Sequence, residues 1–126
     1  ISNGGGGIPV VEDESGNLVG IEAVIDKDFG GALLAASLGA DLFLITTSVE
    51  KVALHYNQPD QRWLDRMTAA EARQYLEEGH FLKGSMEPKI QAILNYLDQG
   101  GQEALITDPK NIERALRGET GTRIVR

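Results

Sequence analysis

The segment Asp41-Leu42-Phe43-Leu44-Ile45-Thr46-Thr47 constrains the fold of this chain more than any other. A nearly continuous apolar run implies burial on both faces, the environment of a strand in a parallel sheet covered by helices. The segments around it supply such covers. A helix is predicted from about Asp28 to Leu38, with Asp28 as N-cap, Ala32, Leu33 and Ala36 on one buried face, and Gly39 as its stop. Val52 to Tyr56 reads as a shorter strand and Asn57 to Gln61 as a loop. Thr68-Ala69-Ala70-Glu71 is a capping box that opens a helix to about Glu78. Another helix runs from Ser85 to about Gln99, with Met86, Ile90, Ile93, Leu94 and Leu97 at helical spacing and Gly100-Gly101 behind it.

Ala104 to Thr107 is the next strand. Asp108-Pro109 is an N-cap with proline at the first helical position, leading a helix that carries Ile112, Ala115 and Leu116. Gly118 closes it before a last strand, Thr122 to Val125. Near the start, Ile8 to Val11 and Leu18 to Ile21 flank the polar turn Glu12 to Asn17, a surface hairpin. Strands alternating with helices predict an α/β fold, an open and largely parallel sheet between helical layers, in one domain. Both ends look like strands cut short, so residues 1–126 are read as part of a longer chain.

The formal net charge of −7 argues against nucleic acid, whose partners present a basic face. It leaves room for ATP, which needs only a few local lysines and backbone N–H groups. The chain has no cysteine, which excludes a disulfide framework, a cysteine zinc site and a thiol nucleophile. No apolar run approaches the ~20 residues that span a bilayer. A cytoplasmic protein that does not engage a membrane is the expectation.

Ligands of open α/β sheets bind beyond the carboxyl ends of the strands, and three features fall there. Gly4, Gly5, Gly6 and Gly7 follow a short strand; such a run is either a flexible turn or a nest of N–H groups around an anion. Asp26-Lys27-Asp28 stands at a strand-to-helix junction. A lysine there opposes the helix dipole, so it is either a solvated surface charge or the partner of an anion held at the helix end. In Gly84-Ser85-Met86-Glu87-Pro88-Lys89, Ser85 is expected to cap a helix from whose first turn Lys89 rises, with the same two readings. Phosphoryl transfer needs positioned positive charge more than covalent chemistry, so two such lysines beside a glycine nest favour a phosphate site. His55 and His80, far apart in sequence and without metal-ligand spacing, read as structural or surface residues, and Trp63 as a core or interface anchor. Thr46, Thr47 and Ser48 could line a nucleotide pocket.

These stretches carry a resemblance. SNGGGGIPV, GIEAVIDKDFGGALLA, LGADLFLITTSVEKVAL, YNQPDQRWLDRMT, YLEEGHFLKGSMEPK and GETGTRIV, in that order, with Lys89 placed 62 residues after Lys27, resemble carbamate kinases across essentially the whole chain. The resemblance implies the C-terminal, ATP/ADP-binding part of an amino-acid-kinase fold. It also implies an enzyme that interconverts ATP plus carbamate with ADP plus carbamoyl phosphate, using Mg²⁺, in fermentative arginine breakdown, as a homodimer. In the roles it implies, Lys27 and Lys89 contact the transferring phosphates and Asp26 orients them. Gly4 to Gly7 lie by the carbamate or carbamoyl phosphate, and Tyr56 and Met86 flank the adenine beside Ser85. No protein metal ligand is implied. Ser48 stands where related kinases often have aspartate, and Glu50-Lys51 replaces a turn that commonly contains glycine, which bears on ribose contacts. The family's N-terminal glycine motif and a further lysine lie outside this sequence, so the site is expected to be incomplete here. Kinases of acetylglutamate, glutamate or UMP, and a non-catalytic nucleotide-binding module, are the competing readings.

Overall fold

A computed structural model describes residues 7–126. Four strands form the main sheet: β3 (Leu42–Thr46), β7 (Glu103–Thr107), β8 (Thr122–Val125) and β6 (Arg66–Thr68), in that order. The β3–β7 and β8–β6 pairings are parallel, whereas β7 and β8 run antiparallel. Two hairpins stand apart from this sheet: β1 (Val10–Glu12) with β2 (Leu18–Gly20), and β4 (Val52–Leu54) with β5 (Arg62–Leu64). The first matches the predicted surface hairpin and is exposed along both strands. The predicted strand over 52–56 stops at Leu54, because His55 turns into the left-handed region at φ 51°.

One face of the sheet is covered by α3 (Met86–Asp98), with α1 (Lys27–Ser37) packed along it and α2 (Ala69–Glu77) beside it. Its core combines Ile90, Ile93, Leu94 and Leu97 of α3 with Ala104 and Ile106 of β7 and Ile124 of β8. The helix is buried nearly all round, since Ala92 and Tyr96 are also inside. The Tyr96 hydroxyl donates to the Ala40 carbonyl, tying α3 to the chain that leaves α1. Gly101 lies so close to the Tyr96 ring that a Cβ there would overlap it. On the other face sits α4 (Ile112–Leu116), entered through a 3-10 turn at Pro109–Asn111 that Asp108 caps through the Asn111 N–H. There Leu105 and Ala115 close around Gly121, a glycine at φ 79° with no room for a side chain.

Three expectations change. The N-cap of α1 is Asp26, whose carboxylate accepts the Asp28 N–H at 2.8 Å, so the helix begins one residue earlier, at Lys27. Leu33 is exposed; the buried face of α1 is carried by Phe29, Ala32 and Ala36, which follow the helical repeat more closely. Finally, β3 is not sealed on both faces. It forms the edge of the four-stranded sheet, and only Ile45 among its residues is fully buried. The strands β5 and β6 were not predicted: three residues each, with two arginines and a threonine among the six, they lack an apolar pattern long enough to read.

Candidate functional site

The two candidate lysines meet. Lys89 rises from the first turn of α3 and donates from Nζ to Asp28 Oδ2 at 2.7 Å, while Lys27 Nζ lies 3.6 Å from Asp28 Oδ1. Since α1 packs along α3, residues 61 and 62 positions apart in sequence share one corner of the fold. The partners differ in exposure: the side chains of Lys89 and Asp28 are 13% and 8% exposed, that of Lys27 62%. A buried charge must be paired or it costs several kcal/mol, so Lys89 and Asp28 hold each other in place whereas Lys27 reaches into solvent from the helix end. Asp26 stands beside this cluster without an ion pair to either lysine among those seen. Its carboxylate is engaged in capping α1, and the carboxylate that lies between the lysines is that of Asp28.

The start of α3 also differs from expectation. Ser85 occupies the N-cap position but makes no side-chain cap hydrogen bond. The turn is instead closed by backbone, with the Leu82 carbonyl accepting from the N–H groups of Ser85 and Glu87 at 3.2 Å each, and Gly84 taking φ 72°. The Ser85 hydroxyl is thereby left to the cavity that it lines.

That cavity, of about 210 Å³, lies immediately before α3. The loop after β3 supplies Thr47, Ser48, Val49 and Lys51; Ala53 and Tyr56 come from β4 and its exit; His80, Phe81, Leu82, Ser85 and Met86 complete the wall. Most of the lining surface is apolar, and Thr47, Ser48, Tyr56 and Ser85 bring hydroxyl-bearing side chains to it. Met86 stands one helical turn before Lys89, so the slot opens next to the charged cluster. Of the expected nucleotide contacts, Tyr56, Ser85 and Met86 all line the slot, whereas Lys89 does not line it and stands one helical turn after Met86, paired with Asp28. Gly7, at φ 74°, leads toward β1 and is exposed. Gly4, Gly5 and Gly6 lie outside the described residues.

The loop that carries Tyr56 is held in an uncommon shape. His55 and Asn57 both have positive φ, 51° and 61°, and flank Tyr56. Such residues cost of order 1 kcal/mol each and persist where the surroundings fix them. Here the Asn57 N–H donates to Gln61 Oε1 at 2.8 Å and the Gln58 N–H to the His55 carbonyl at 2.9 Å. Trp63 packs edge-on to Tyr56 and is about half exposed, so it braces this loop and is not a core anchor. In the turn after β3, Glu50 accepts from the Thr120 hydroxyl and pairs with Arg114, and Lys51 Nζ is 2.5 Å from Asp65 Oδ1. The Glu50-Lys51 turn is thus clamped to neighbouring elements from both of its charges.

His55 and His80, far apart in sequence, meet in the fold: their rings touch edge-to-face with centroids 4.4 Å apart. His55 Nδ1 lies 3.5 Å from Asp60 Oδ2, and His80 Nε2 lies 3.0 Å from Glu78 Oε2. No local spacing signals this pair; it depends on the β4–β5 hairpin folding back over the end of α2. Among the described residues no group of three or more His, Cys, Asp or Glu side chains is arranged to hold a metal, and no helix is long and apolar enough to cross a membrane.

Comparison with known proteins places this architecture. The model of the amino acid kinase family matches residues 1–108. The chain belongs to the amino acid kinase family. It is 52% identical over 126 residues to the carbamate kinase-like protein YahI of Escherichia coli K12, and 48% identical over 126 residues to the carbamate kinase of Thermococcus kodakarensis. All of this chain but only 40% of each of those proteins is covered, so the chain spans well under half the length of the curated relatives it matches. Among solved structures, the carbamate kinase of Giardia lamblia bound to AMP-PNP superposes with a TM-score of 0.90 at 37% identity, over 96% of this chain and 38% of that one. An N-acetylglutamate synthase from Neisseria gonorrhoeae shares the fold alone, with a TM-score of 0.67 at 20% identity.

Proposed function

We propose that this chain is the C-terminal, nucleotide-binding part of a carbamate kinase, which transfers a phosphoryl group between ATP and carbamate. The observation that carries the reading is the Lys27–Asp28–Lys89 cluster one helical turn beyond an apolar slot lined by Tyr56 and Met86. The slot suits a purine base between an aromatic ring and a thioether. The lysines suit the phosphates that a bound nucleotide would extend toward the helix ends. The similarity to carbamate kinases, one of them bound to an ATP analogue, supports the same choice.

In this reading Lys89, fixed by Asp28, supplies positioned charge for the phosphoryl group as negative charge shifts between its oxygens. Lys27, more mobile by exposure, follows the group as it moves. Asp28 keeps both ammonium groups in register and Asp26 fixes the helix end that bears them. Mg²⁺ enters with the nucleotide, as part of the substrate. Gly4 to Gly7 hold the carbamate or carbamoyl phosphate, the remaining groups come from the rest of a longer polypeptide, and the enzyme works as a homodimer in arginine breakdown.

The test is an assay of the complete polypeptide with carbamoyl phosphate, ADP and Mg²⁺, read as ATP formed. Robust ATP synthesis is expected. Absence of synthesis, together with ATP-dependent phosphorylation of acetylglutamate, glutamate or UMP, would move the protein to another branch of the family. Nucleotide binding without turnover of any acceptor would make it a binding module.

A further inference from the structure

The side chains lining the slot differ in what they can tell a base apart. The hydroxyls of Thr47, Ser48, Tyr56 and Ser85 both donate and accept, so they adapt to either kind of edge. Lys51 donates only and is engaged by Asp65. His80 is different, because its protonation pattern is set from outside the cavity. Its Nε2 lies 3.0 Å from Glu78 Oε2. The Glu78 carboxyl is held below the ordinary carboxylate range, first by the hydrogen bond from Gln74 and then by His80 itself, so it is an ionised acceptor near neutral pH. An ionised carboxylate can only accept, which places the ring proton on Nε2 and makes Nδ1 of the neutral ring an acceptor. The ring makes no other hydrogen bond among the described residues. Nδ1 is not sealed either: among the described residues, the buried side-chain polar atom without a partner is Thr107 Oγ1. The ring is braced by His55 and by Tyr75, with centroids 4.4 Å and 5.7 Å away, and its backbone N–H is held by the Tyr75 carbonyl at 3.0 Å.

We propose that His80 is the base-reading residue of this slot, accepting at Nδ1 a hydrogen bond from the six-amino group of adenine and rejecting the six-carbonyl of hypoxanthine or guanine. The proposal rests on the adenine-nucleotide reading given above. With a six-oxo purine, two acceptors would face each other, and a site built to pair one group discriminates against a base that cannot pair. Glu78 acts through His80 as a positioning residue that fixes the tautomer.

The experiment is calorimetric titration of the complete polypeptide with ADP and, separately, with IDP. These share one diphosphate, so phosphate ionisation cancels in the ratio of their affinities. At pH 8 ADP is expected to bind about tenfold tighter than IDP, the scale of one hydrogen bond. His80→Phe keeps a ring but removes the acceptor and should bring the ratio close to one, mainly by weakening ADP. Glu78→Gln, which can donate or accept, should give an intermediate ratio; this variant serves where His80→Phe does not fold. An ADP to IDP ratio in His80→Phe, or in Glu78→Gln where His80→Phe does not fold, that equals the wild-type ratio overturns base reading by His80 and leaves nucleotide binding standing. Failure of wild type to bind either nucleotide overturns both.

Discussion

The two ends of the candidate site are organised by opposite means. At the phosphate end, charge is placed by charge: Lys89 and Asp28 are nearly buried and each fixes the other across two packed helices. At the base end, Tyr56 sits 44% exposed on a loop held open by two left-handed residues and braced by ring edges. The first arrangement rests on the core and cannot shift without disturbing α1 and α3. The second rests on a hairpin outside the main sheet and can adjust. Precision is thus concentrated where a phosphoryl group would move, and tolerance where a base would be held.

Several substitutions would break or sharpen that contrast. Lys89→Ala should lower ATP synthesis by the complete polypeptide by about a hundredfold or more, the scale of losing a positioned transition-state donor, with ADP binding measured in parallel to separate transfer from affinity. Asp28→Asn should cost about 3 kcal/mol in urea unfolding, because it leaves Lys89 mostly buried beside a neutral partner. Tyr56→Ala, at the tolerant end, should weaken ADP by about tenfold and leave the unfolding midpoint almost unchanged. Glu71→Ala tests a feature remote from both ends. The Thr68 backbone N–H, then its hydroxyl, holds the Glu71 carboxyl below its ordinary range. A depressed carboxylate adds stability above its unfolded value, and that stability is lost as pH falls. The wild-type advantage in thermal unfolding should therefore be full at pH 7 and shrink below about pH 4. Smallest of all, Asn57→Gly should stabilise by no more than about 0.5 kcal/mol, since asparagine already tolerates positive φ.

What could be read in the sequence follows the range of the interactions. Capping boxes, glycine stops and helical spacing act within a few residues, and so Thr68–Glu71, Gly39 and the face of α3 were legible. Both lysines were legible as odd charges at helix starts. Their meeting at Asp28 was not, because it depends on how α1 crosses α3. Asp26 and Asp28 are equally good N-caps by type, and only the backbone angle at Asp26 decides between them. The ring pair of His55 and His80 and the clamp on Glu50 are long-range contacts with no local signature.

Asp28 gives the phosphate end a property that neither lysine has alone. It is a resident counter-ion. Two ammonium groups and one carboxylate sum to a single net positive charge, so an arriving phosphate exchanges places with an anion already there and does not meet two bare cations. Exchange returns less free energy than neutralising naked charge, and the same carboxylate would take the lysines back if a phosphoryl group left. For the phosphoryl transfer proposed above, such a counter-ion would let a phosphate both arrive and depart by exchange.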